Sequence, residues 1–138
     1  MGMETERDVI RQRLSTNWGS TTEISWEGFN LGPYTQKEGV EYIRPHIEDG
    51  ISEWVSIAAS VQKERKYGTL IIEVFTPIGT GDERGNQLCD LLIEDFSPYT
   101  SGGVRFDRRG FARDSGTDGL FHTWQVFLPY YRENVVSI

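Results

Sequence analysis

The sequence predicts an α+β domain, an antiparallel β-sheet with helices packed mainly on one face. Two amphipathic helical stretches flank a run of β-prone segments, and a second β-prone run closes the chain. The turns between neighbouring strands are mostly too short for parallel crossovers, which favours antiparallel pairing. The 138 residues fit a single domain, 1–138, large enough to bury a core without disulfides or metal.

Each element has a local reason. From Glu4 to about Asn17, Val9, Ile10 and Leu14 share one side of a helix while Glu6, Arg7, Arg11 and Gln12 stay polar. Residues 1–3 are expected to lie outside this order. Trp18-Gly19 ends the helix, glycine permitting a left-handed cap. Thr21 to Trp26 reads as a short strand with Ile24 and Trp26 on one face. Glu27 to Gly39, with Gly28, Gly32 and Pro33 among polar residues, reads as an irregular surface excursion.

Val40 to Glu48 is extended, and Pro45, which cannot donate to a ladder, points to an edge or a bulge. Asp49-Gly50 reads as a turn. Glu53 to Val61 alternates as a half-buried strand, Gln62 to Lys66 turns the chain, and Tyr67 to Phe75 returns as its hairpin partner. A second helix puts Leu88, Leu91, Leu92 and Phe96 on its apolar stripe, with Gln87, Asp90 and Glu94 opposite. Val104 to Phe111 and Leu120 to Tyr130 read as two further strands joined through Asp114 to Gly119.

Charge narrows the function. With 14 Lys+Arg against 21 Asp+Glu the net charge is −7, which disfavours free binding to nucleic acid or anionic lipid. The N-terminal stretch MGMETERDVIRQRL has no apolar signal region, and no run is long enough to cross a bilayer. A single cysteine, Cys89, has no internal disulfide partner and sits among apolar helix residues. It reads as a core thiol suited to a reducing cytoplasm.

The stretch TPIGTGDERGNQ, Thr76 to Gln87, joins a strand to a helix and so invites a phosphate-cradle reading. The dinucleotide fingerprint G-x-G-x-x-G fails by one residue, because Gly85 follows Gly81 by four positions, and no Gly-Lys-Ser/Thr ending exists. Asp82 and Glu83 already neutralise the helix N-terminus. Thr80 to Glu83 instead matches a capping box. Asp114 to Gly119 resembles the start of a calcium loop, but Gly116 and Gln125 stand where ligands belong, so a hairpin turn is the better reading. Arg109-Gly110-Phe111-Ala112 opens like an RNA-recognition strand, with Arg105, Arg108 and Arg113 nearby. The match breaks at Arg113, and exposed arginines paired with Asp107 and Asp114 are the plainer reading. His46 and His122 have no partner at metal spacing. No catalytic residue, cofactor site or metal site is assigned.

The order of landmarks along the chain resembles the tail terminator proteins of long-tailed phages. The helix ending in Arg13-Leu14, the short strand with Trp26, the loop through Phe29-Asn30 and the run Tyr42-Ile43-Arg44-Pro45 carry the first half. Tyr67-Gly68, the strand ending in Thr76 to Gly81, the helix around Leu88 to Phe96 and the closing strand with Trp124 and Phe127 carry the second. The resemblance covers nearly the whole chain through order and spacing rather than any one motif.

It implies a non-enzymatic virion protein, assembled in the host bacterial cytoplasm and then placed at the head-proximal end of the tail. There it would form a ring, expected to be a homo-hexamer, that ends polymerisation of the tail tube protein and joins the tail to a head-side connector or neck protein. DNA would pass through without specific binding, and no membrane is involved. Interface residues are expected among Phe29, Asn30, Tyr42, Arg44, Arg105, Arg108 and Arg109. Two alternatives stay open: a head-side neck protein, and a small nucleotide-binding enzyme domain using the Gly79 to Gly85 turn. A nucleic-acid module on the Arg105 to Arg113 strand is a further reading.

Overall fold

The structure is a computed structural model that describes residues 3–19, 21–29, 31–32, 34–35, 39–58, 61–79 and 82–137. Along the chain come α1 (Met3–Asn17), β1 (Glu23–Ile24), a 3-10 turn (Glu27–Phe29), β2 (Tyr42–Ala58) and β3 (Val61–Pro77). They are followed by α2 (Asp82–Phe96), β4 (Tyr99–Ser101), β5 (Val104–Phe106), β6 (Phe111–Thr117) and β7 (Phe121–Ser137). The fold is α+β: a curled, mostly antiparallel sheet of seven strands in the order β1-β2-β3-β7-β5-β4, with β6 also paired to β7. The β1-β2 pair is parallel.

Three strands of 17 residues each form the frame. β3 pairs with β7 without a register shift from Val61↔Ser137 to Pro77↔Phe121. Alternation along this ladder separates two faces. Leu70, Ile72 and Val74 of β3 stand beside Leu128, Val126 and Trp124 of β7 and join one buried cluster with Ile10, Leu14 and Trp18 from the α1 region. Leu88, Cys89, Leu92, Ile93 and Phe96 of α2 enter the same cluster, so both helices cover this face. Trp18, Phe96 and Phe106 are almost wholly enclosed, each contributing about 1.5–3 kcal/mol through apolar burial.

A polar contact crosses the core at its far end. Glu6 of α1 is 1% exposed and Arg132 of β7 is 2% exposed. The Arg132 Nε–H donates to Glu6 Oε1 at 3.1 Å, and the Tyr130 hydroxyl donates to Glu6 Oε2 at 2.8 Å. Burial, followed by this contact with the Glu6 carboxylate, pushes the Tyr130 hydroxyl well above its ordinary range. Glu6 therefore does not belong to the polar side of α1. Its helical position faces the sheet because Tyr130 and Arg132, both on the helix-bearing face, supply its partners.

Two glycines allow close approach. A Cβ on Gly68 would lie 2.5 Å from the Tyr130 hydroxyl oxygen, so the tyrosine ring crosses β3 only over a glycine. A Cβ on Gly85 would lie 2.1 Å from the Trp124 ring, and this glycine brings the first turn of α2 down onto the sheet.

Several boundaries differ from the sequence expectation. Asp49-Gly50 is no turn: β2 continues through it with a register shift between Asp49 and Ser52. Gln62 to Lys66 is strand, not turn. The Arg65 Nη2–H donates to Glu133 Oε2 at 2.7 Å, and Lys63 Nζ lies 3.2 Å from the same oxygen, so cross-strand charges replace apolar burial there. The expected Val104 to Phe111 strand is split into β5 and the start of β6. β6 then runs on to Thr117 past a bulge at Gly116, whose φ is +89°.

Gly19 does not adopt the left-handed cap; the Thr21 N–H instead donates to the Trp18 carbonyl at 2.8 Å. The Thr21 to Trp26 strand shortens to Glu23–Ile24. Leu91 is 40% exposed, and Cys89 and Ile93 take the inward positions instead. Pro45 meets its edge expectation, since β1 pairs only Tyr42 and Ile43 on the outer side of β2.

Replacing Glu6 with Ala removes the buried carboxylate that accepts from both Tyr130 and Arg132, with an expected loss of about 1.5–3 kcal/mol in chemical denaturation. Gly85→Leu should cost about 1–3 kcal/mol by overpacking against Trp124. Leu91→Gln, on the exposed side of the same helix, should change the midpoint little.

Candidate interaction surfaces

The residues expected at an interface fall into three groups. Phe29 is 4% exposed, packed at 5.4 Å on Trp26 within the main core. Tyr42 is 3% exposed and lies on the opposite face of the sheet, stacked on Phe75 at 4.3 Å with Phe121 edge-on at 5.6 Å. Both serve intramolecular packing and present no surface to a partner, which corrects the expectation for them. The Glu27 to Gly39 excursion thus carries Phe29 into one face and brings Tyr34 onto the other, where it packs against Tyr42 at 4.7 Å. Asn30 lies outside the described residues.

Arg44 is half-buried. Its Nε–H donates to Glu73 Oε1 at 3.2 Å, and its guanidinium sits 5.0 Å over the Phe75 ring, so it is already occupied within the chain. Arg105, Arg108 and Arg109 are exposed on and after β5. Among the described residues none of the three has an ion-pair partner, which corrects the expected pairing with Asp107 and Asp114. Arg113 donates to Gln125 at 2.7 Å, and Asp114 turns to His122.

The two faces differ in chemistry. Tyr131 pairs with Arg105 and Tyr67, on the face without helices. There Arg65 lies 4.8 Å over the Tyr131 ring, and Phe111 stacks on Phe127 at 4.9 Å while remaining 59% exposed. A cavity of about 190 Å³ opens there, with Tyr67, Thr69, Pro129 and Tyr131 among its walls and Asp107 and Arg108 from the β5-β6 connection. All seven residues of β6 are exposed, so this strand is held chiefly by its ladder to β7. On the helix side, Glu83, Asp90, Leu91 and Glu94 line a shallow hollow on the outer surface of α2.

The glycine-rich connection resolves in part. Gly79 turns the chain at φ +95°, Gly85 is a packing residue against Trp124, and the expected capping residue Thr80 lies outside the described residues. Asp82, at the first turn of α2, has a contact that sequence spacing does not reveal: its Oδ1 is 3.3 Å from His122 Nδ1. His122 Nε2 lies 2.8 Å from both oxygens of Asp114, and the ring stacks on Trp124 at 3.9 Å. Ligand atoms of Asp82, Asp114 and His122 come within 4.8 Å of one another, a grouping of donors suited to a metal among the described residues. The carboxylates address opposite ring nitrogens, so a single ion bound to one nitrogen would engage both only after one of them swung round. As placed, the three side chains tie α2 to the β6-β7 hairpin.

The residues that resembled a calcium loop form the end of that hairpin. The Gly116 N–H donates to Asp114 Oδ1 at 2.8 Å; this bond and the His122 contact hold the Asp114 carboxyl below the usual carboxylate range. The Phe121 and Leu120 N–H groups donate to Asp118 at 2.8 and 3.1 Å and lower it likewise. Cys89 is buried, and burial pushes its thiol up to about 12. Among the described residues no helix is long and apolar enough to cross a membrane.

These features define an α+β protein with a one-sided helix layer, a helix-free sheet face bearing aromatics and arginines, and an exposed strand at the sheet margin. No protein-family model and no curated protein matches the chain. Among the solved structures that match, one superposes on it with a TM-score of 0.68 over 96% of each chain at 21% identity. That likeness is one of fold.

The hairpin's acid response follows from the depressed carboxyls. Their stabilising contribution is complete above the unfolded value, about 3.9 for Asp, and is lost as pH falls through the lower folded values. The Leu120 and Phe121 amide resonances, whose acceptor Asp118 is held by backbone donors alone, should therefore hold steady from neutrality to about pH 4 and move together only below it. Movement centred well above pH 5 would contradict the assignment.

Proposed function

We propose that this chain is a tail terminator, a ring-forming structural subunit that ends growth of a phage tail tube and provides the surface for head joining. The observation that carries the reading is the order of landmarks from Arg13-Leu14 to Trp124 and Phe127, which spans nearly the whole chain. The architecture supports it on separate grounds. A ring subunit needs surfaces left unsatisfied within one chain, and β6, exposed along its length, and the outer side of β2 beyond His46, which pairs with no strand among the described residues, are such surfaces. A net charge of −7 also suits a protein that lets DNA pass without gripping it.

Purified protein added to polymerising tube protein should give rings seated on tube ends and tubes of arrested length by electron microscopy. Unchanged tube growth beside a free subunit would remove the reading. Labelled protein found on the portal side rather than at the tube end would favour a head-side neck protein.

A further inference from the structure

The chain carries opposite charges on opposite sides. Arg105 is on the helix-free face by register, since Val104 pairs with buried Arg132 and Arg105 pairs with Tyr131. Arg108 lines the cavity formed there with Tyr67, Pro129 and Tyr131. Glu83, Asp90 and Glu94 lie on the solvent side of α2, around the exposed Leu91. Among the described residues none of these carboxylates has an ion-pair partner, and neither has Arg105, Arg108 or Arg109. The sheet separates the two groups, so they do not meet within one chain.

We propose that the outer face of α2 in one copy docks on the Arg105–Arg109 face of a second copy, with Leu91 entering the tyrosine-walled cavity and the carboxylates meeting the arginines. Complementary charge identifies the occupant as another copy of this chain. In a protein of net charge −7, an unpaired cluster of arginines finds its counterpart on the chain's own far side. Because the two surfaces are unlike, the contact is heterologous and propagates head to tail, closing into a ring when the rotation between copies permits. The proposal rests on the ring-forming reading and supplies the surfaces through which the subunits touch.

The test uses two variants of the full chain, Asp90→Arg/Glu94→Arg and Arg105→Glu/Arg108→Glu/Arg109→Glu, whose changes are all at exposed positions. Sedimentation velocity is run at about 0.1 M salt, where a Debye length of about 10 Å screens whole-molecule repulsion but not contact pairs. Wild type should self-associate. Each variant alone should associate at least about tenfold more weakly. An equimolar mixture should recover assembly, because every junction between unlike copies again joins acid to base. One chain carrying all five changes should recover it too.

A monomeric wild type, or a mixture that stays dissociated while both variants keep the wild-type melting temperature, would overturn the contact. The tube-capping assay separates this from the functional reading. Assembly through these faces without tube capping removes the terminator reading and leaves the contact. Capping that is unaffected by either charge reversal removes the contact and leaves the terminator reading.

Discussion

The unbroken β3-β7 ladder is the constraint from which the other placements follow. Seventeen residues of each strand are held in fixed register, so the alternation of faces along both is set at once. A one-residue slip would move Leu70, Ile72 and Val74 out of the core and send Ile71 and Glu73 into it. The helices add to this arrangement rather than create it. α1 docks where Tyr130 and Arg132 present partners to Glu6, and α2 docks where Trp124 meets a residue with no side chain.

The β7 strand also explains why the arginines are displayed. Its free side is shared between two short partners, β6 along residues 122–127 and β5 at Arg132 and Tyr131. The chain must leave the ladder between them, and residues 107–110 make that passage. A Cβ on Gly110 would lie 2.4 Å from Leu128 Cδ2, so the passage runs hard against β7 before β6 begins. The displaced segment carries Arg108 and Arg109 into solvent. The fold thus gives a mechanical origin to a cluster that composition alone makes improbable in an acidic chain.

Much of the fold is legible locally. The α1 residues Ile10 and Leu14, the α2 residues Leu88, Leu92 and Phe96, and the apolar runs of β3 and β7 announce their elements by periodicity. What escapes are features whose partners lie far away in sequence. Gln62 to Lys66 reads as a turn because its stabilising charge, Glu133, is contributed by the opposite end of the chain. Glu6 reads as a surface acid because its arginine is 126 residues distant. Leu91 is misplaced because Gly85 and Cys89, weak hydrophobic signals, set the phase of α2. Of the interface expectations, the arginines are legible as solvent-facing by charge, whereas Phe29 and Tyr42 show that an aromatic in a loop-rich region carries no mark of which way it faces. The Asp82–His122–Asp114 contact needs three elements to converge and leaves no spacing signature.

Strand length has a last consequence. At about 3.3 Å per residue, seventeen residues extend roughly 55 Å, whereas a compact globule of this chain length measures only about 37 Å across. The helices, at 1.5 Å per residue, reach about 22 Å. The three longest strands are therefore longer along their contour than such a globule is wide, and exposed Ile51 and Trp54 lie on β2 where its partner β3 is braced by cross-strand charge. In the proposed ring, an extension of that kind would let a subunit overlap its neighbour instead of merely abutting it.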